Sequence, residues 1–145
     1  MSPTRVHTRA MLAAIVLLAS GCAGAAADAV DHEVVLTEKA IGTSTPWRTG
    51  PQVLEVVNEG HAHHNLIICP GDEQGCDAGG VPMELLEKPE VRDERVVPDR
   101  TSSLVLGAGA RAVVRTDELS PGTHRLWCAI PNHAARGMEL VVEVE

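Results

Sequence analysis

The hydrophobic pattern along this chain has the period and length of strands. Seven short runs, 32–37, 53–58, 65–69, 103–106, 111–116, 123–128 and 139–144, are built largely from Val, Leu, Ile and Thr. Turn signals separate them: Asn58-Glu59-Gly60, Gly107-Ala108-Gly109 and Ser120-Pro121-Gly122. This spacing predicts an all-β fold, an antiparallel Greek-key β-sandwich of seven to eight strands. Residues 70–100 break the rhythm with acids and prolines. They read as one long loop insertion that partly covers a sandwich edge, with a short helical turn over 83–88. No internal repeat is visible, and 145 residues suit one domain with a modest core.

The N-terminal segment reads differently. Arg5 and Arg9 form a basic start, and residues 11–19 are an apolar stretch of signal-peptide length, too short for a membrane-spanning helix. It ends in Leu18-Ala19-Ser20-Gly21-Cys22, similar to the box at which bacterial lipoproteins are cut and lipidated, with Ala19 where Leu is commoner. The expected organisation is a signal peptide over 1–21, a tether over 22–31 lipidated at Cys22, and a folded domain over 32–145. Cutting after Ala27 would instead release a soluble protein. A lipid on Cys22 would hold the domain on the outer side of the membrane without spanning it.

Composition narrows the partners. The formal charge is −8, and loss of Arg5 and Arg9 with the signal peptide takes it to −10. Nucleic acid is not expected to bind such a chain; a basic protein partner suits it, although solubility alone would explain the charge. Phe and Tyr are absent and only Trp47 and Trp127 are aromatic, so the core is expected to rest on Val, Leu, Ile and Ala.

Cysteine usage brings in chemistry. Cys69 and Cys76 flank a short loop, and an exported chain meets oxidising conditions, so a disulfide between them is expected. Cys128 is then left over, and metal ligation gives it a role. It stands in Cys128-Ala-Ile-Pro-Asn-His133-Ala-Ala-Arg-Gly-Met138, far from Asn58-Glu-Gly-His-Ala-His-His64-Asn65. His64, Cys128, His133 and Met138 supply two imidazoles, a thiolate and a thioether, the donor set of a blue-copper electron-transfer centre. His64 is preferred over His61 and His63 because it directly precedes Asn65 and the apolar run 66–68.

These two motifs, together with Pro121-Gly-Thr-His-Arg-Leu-Trp-Cys128, resemble the cupredoxin family of small blue-copper proteins. The resemblance covers about residues 32–69 and 102–145; Asn132 stands where many members have Gly. It implies one type 1 copper per chain and a second role for Asn65, whose backbone would hydrogen-bond the Cys128 sulfur. His133 would reach the surface through an apolar patch formed by Pro131, Ala134 and Ala135. Trp127, on the strand face opposite Cys128, would be either a further electron-transfer surface or a packing residue. His124 reads as a core or corner histidine. The function so implied is that of a monomeric, membrane-anchored, non-enzymatic electron carrier. It would serve redox protein partners, a membrane-linked donor and a terminal oxidase or reductase. The alternative is an envelope copper chaperone or buffer, suggested by the His61-Ala-His-His64 cluster but poor in methionine.

Overall fold

The computed structural model describes residues 28–71, 76, 79–87 and 100–145. The signal segment, Cys22, Ala27 and most of the tether lie outside them. Among the described residues ten strands form two packed sheets: β1 (His32–Leu36), β2 (Ile41–Thr43), β3 (Val53–Asn58), β4 (His64–Pro70), β5 (Met83–Glu87), β6 (Arg100–Thr101), β7 (Leu104–Leu106), β8 (Arg111–Thr116), β9 (Gly122–Trp127) and β10 (Glu139–Val144). One sheet has the order β2-β1-β3-β8-β5-β6 and the other β10-β9-β4-β7. The seven runs read as strands are all strands, and the fold is a two-layered β-sandwich as the pattern required.

Three features differ from expectation. Residues 83–87 form β5, not a helical turn, and with β6 they extend the first sheet beyond β8. Met, Leu and Glu favour a helix locally, but β8 offers an open edge, and pairing along it decides the conformation. A register shift between Leu85 and Glu87 marks the imperfect fit. Next, the three-residue strand β2 was too short to show a period. Last, the sandwich is not wholly antiparallel: β1 pairs with β3 in parallel. After the β1–β2 hairpin the chain runs to the other sheet, where Trp47 bridges Val144, and only then re-enters as β3 beside β1.

The core is mainly aliphatic. Leu36, Leu54, Val56, Leu66, Ile68, Leu104 and Leu126 are sealed between the sheets. Trp47 is also fully buried, stacked flat on His32 with ring centroids 4.6 Å apart. Its indole N–H donates to the Ser44 carbonyl at 3.0 Å, so burying the polar end leaves no unmet donor. His124 is buried, as expected of a core histidine. On the outer face of the second sheet the simple alternation fails for Arg125. It is buried, paired with Glu139 and laid over the Trp127 ring at 5.0 Å. Its aliphatic stem covers sheet surface while the guanidinium meets the carboxylate.

Met83 tests the strand assignment. It is buried against the sandwich interior, so Met83→Ala should cost about 2–5 kcal/mol in denaturant unfolding. A residue on an exposed insertion would cost far less, and a loss under about 0.5 kcal/mol would contradict the placement of β5.

Candidate metal centre

The two motifs meet at one end of the sandwich. His64 opens β4, Cys128 follows the last residue of β9, and His133 and Met138 lie in the loop that leads to β10. The ligating atoms of His64, Cys128 and His133 all lie within 4.8 Å of one another, and no other such group occurs among the described residues. The Nδ1 atoms of the two imidazoles face each other at 3.1 Å, and Cys128 Sγ is 3.6 Å from His133 Nδ1. His64 and Cys128 are fully buried, whereas His133 is partly exposed beside exposed Pro131, Asn132 and Ala135 and half-buried Ala134. Met138 is fully buried in the same apolar cluster as Cys128. His61 is exposed and His63 is half-buried near Gly107; neither belongs to the converging group.

Backbone chemistry explains how the loop returns its side chains to one point. Cys128 N–H donates to the Met138 carbonyl at 3.1 Å, closing the base of the loop. Inside it, the His133 carbonyl accepts from Arg136 and Met138, and a single 3-10 turn, Ala134–Arg136, follows. Asn132 adopts φ 68°, the left-handed conformation that Gly takes freely and Asn tolerates best among other residues. The replacement of Gly noted in the sequence therefore leaves the turn intact. Gly137 has φ 107°, and a Cβ there would sit 2.4 Å from the Lys39 carbonyl oxygen. The loop thus rests directly on the β1–β2 turn and admits no side chain at that point.

Two asparagines hold the other side. Asn65 N–H points at Cys128 Sγ at 3.4 Å, its side-chain oxygen accepts from Ala129 N–H at 2.7 Å, and its amide nitrogen donates to Ser103 at 3.1 Å. Asn58 is the node that sequence reading missed, having passed there only as a turn residue. Fully buried, its amide nitrogen lies 2.9–3.0 Å from the carbonyls of Ala62, Leu106 and Gly107, and its oxygen accepts from Gly60 N–H at 2.9 Å. It fixes the path of the chain into His64. A buried carbonyl left without its donor costs about 1–3 kcal/mol, so the path has little freedom. Glu38 was also missed, since an acid in a Thr-Glu-Lys turn looks solvated. Its carboxylate accepts from the backbone N–H groups of His61 and Ala62, which hold it below the usual carboxylate range.

Cys69 and Cys76 are joined in a disulfide, which leaves Cys128 as the free, buried cysteine among the described residues. Trp127, half-buried, donates its indole N–H to Cys69 Sγ at 3.3 Å and so packs between that bridge and Arg125.

No protein-family model and no curated protein sequence matches this chain. Solved structures do. The multicopper oxidase of Campylobacter jejuni, described as a metallo-oxidase, aligns with a TM-score of 0.57 at 14% identity over 77% of this chain and 29% of its own. McoA multicopper oxidase of Aquifex aeolicus gives 0.58 at 15% over 78% and 28%. The fold is a cupredoxin-like β-sandwich. The chain spans under a third of the length of those oxidases. Reduced auracyanin of Roseiflexus castenholzii, at 21% identity and TM-score 0.49, is covered over 94% of its length by 78% of this chain.

The donor set fits copper. A buried, unpaired thiol beside two imidazole nitrogens is a soft and borderline-soft combination that suits this metal. Protons compete for the same nitrogens. Burial first, then the neighbouring His133, push the His64 pKa below its ordinary 6.5. The unfolded chain therefore takes up this proton at higher pH than the folded one, and stability present above 6.5 is lost as pH falls below it. His32, lowered chiefly by burial, adds in the same direction. Urea unfolding of the metal-free protein should accordingly show a lower midpoint at about pH 5 than at about pH 7.5, with a smaller difference in His64→Gln. An equal or higher midpoint at the acid end would contradict the assigned shifts.

Proposed function

We propose that this protein is a blue-copper electron carrier of the cell envelope, with one copper held by His64, Cys128, His133 and Met138. The convergence of His64, Cys128 and His133 at the end of a cupredoxin-like sandwich carries the reading. Bound there, copper would change between Cu(I) and Cu(II) and so supply a one-electron store. Cys128 contributes the soft thiolate, and the N–H of Asn65 directed at its sulfur tempers the charge on it. His64 is locked inside the sandwich, and Met138 contributes a buried thioether from the far end of the loop. Because the loop and β4 are fixed by backbone contacts, the ligands have little room to rearrange between oxidation states.

His133 is the ligand nearest solvent, and Pro131, Ala134 and Ala135 around it form a small surface on which a partner's redox group can approach. Trp127 offers a second approach beside Cys128, although its contacts with Arg125 and the disulfide also suit a purely packing role. Use of the thiolate, both imidazoles and the thioether as ligands favours a carrier over an enzyme that turns over substrate. Electrons would come from a membrane-linked donor and go to a terminal oxidase or reductase, with a single domain acting as a monomer. Lipidation at Cys22 would keep it on the extracytoplasmic side of the membrane.

Two experiments test this reading. Mature protein titrated with Cu(II) should turn intensely blue at one equivalent, from sulfur-to-copper charge transfer, and bleach reversibly with ascorbate. Cys128→Ser should abolish the band while leaving the far-UV circular dichroism unchanged; a colourless complex, or colour that survives the substitution, would refute the carrier. For the anchor, Cys22→Ala should move the protein from the membrane fraction to the soluble one, and continued sedimentation with membranes would refute lipidation there.

A further inference from the structure

His64 presents only one of its two nitrogens to the ligand group. Nδ1 faces His133 Nδ1 at 3.1 Å, so a proton on the His64 ring has its place on Nε2 if Nδ1 is to donate its lone pair. That Nε2 is buried and has no hydrogen-bond partner among the described residues, an expensive condition for a polar atom. The nearest carboxylate oxygen is Glu38 Oε1, 3.9 Å away. Glu38 comes from the β1–β2 turn and is aimed by the backbone N–H groups of His61 and Ala62, the same loop that delivers His64. Gly60 keeps the gap between them clear. A Cβ at this position would lie 2.6 Å from Glu38 Oε1 and 2.7 Å from His64 Nε2.

We propose that Glu38 is a positioning residue for the metal centre: once the 3.9 Å between them shortens to hydrogen-bond length, its carboxylate accepts the Nε2–H of His64, fixes the tautomer that frees Nδ1, and stabilises the more highly charged copper state. This rests on the copper reading above and deepens it. A carboxylate behind a ligating imidazole raises the basicity of that ligand, and removing such a partner typically costs about 10–100-fold in metal affinity. The gain is larger for Cu(II) than for Cu(I), because the added negative charge interacts with one more positive charge. Glu38 therefore lowers the reduction potential. The half-exposed setting of Glu38 puts the effect at the lower end of that range. The arrangement also explains why the turn and the histidine loop are tied together by the side chain of an acid rather than by an amide.

Glu38→Gln separates charge from structure, because the amide oxygen can still accept from His61 and Ala62. Nitrogen-15 NMR of the metal-free wild type should find His64 protonated on Nε2. Protein-film voltammetry of the copper-loaded forms should find the potential of Glu38→Gln raised, with about a tenfold loss in the preference for Cu(II) over Cu(I), equivalent to about 59 mV. His64 protonated on Nδ1, or a variant that turns blue with an unchanged or lowered potential, would overturn the role of Glu38 alone. Failure of the wild type to take up Cu(II) would overturn both readings.

Discussion

The structure depends on the clip that Asn65 makes between its two halves. Through its backbone N–H and both side-chain atoms it ties the start of β4 to Cys128, Ala129 and Ser103. His64 is fixed beside Cys128 because the residue that follows it in β4 holds the two residues that come directly after β9. Without that clip the two motifs would still be strands in one sheet, but nothing would fix the distance between an imidazole and a thiol sixty-four residues apart in the chain.

The remaining supports act in the same way, by leaving the backbone no alternative. Asn58 gathers three carbonyls and one N–H at the entrance to His64. Gly137 lets the ligand loop lie against Lys39 where any side chain would collide. Each device acts on a loop, and each is anchored in a sandwich whose interior is filled by aliphatic residues and the sealed Trp47. A preformed cluster of donors is what a one-electron carrier requires, since ligands that move little on oxidation or reduction add little to the barrier. The cluster lies at one end of the sandwich, with His64, Cys128 and Met138 buried and His133 partly exposed.

Much of this was legible in the chain itself. The strands that carry the candidate ligands have clear hydrophobic runs bounded by turn residues, and the cysteine count left Cys128 in need of a role. What was hidden depended on contacts distant in sequence. Strand β5 is made of helix-favouring residues and exists because β8 has an open edge. The parallel pairing of β1 and β3 follows from a detour of the chain to the opposite sheet. Arg125 sits at a position that alternation assigns to solvent, yet Glu139 and Trp127 enclose it. Asn58 and Glu38 looked like ordinary turn residues, because a short polar side chain reveals its partners only once the loops around it are placed.

On the proposed reading, His64, Cys128 and His133 form one metal site to which the loop delivers Met138. Crystals of the copper-loaded protein, measured at the copper absorption edge, test it most directly. A single anomalous peak per chain is expected, in contact with Nδ1 of His64, Nδ1 of His133 and Sγ of Cys128. A peak on His61 and His63 instead, with Cys128 standing free of the metal, would contradict it.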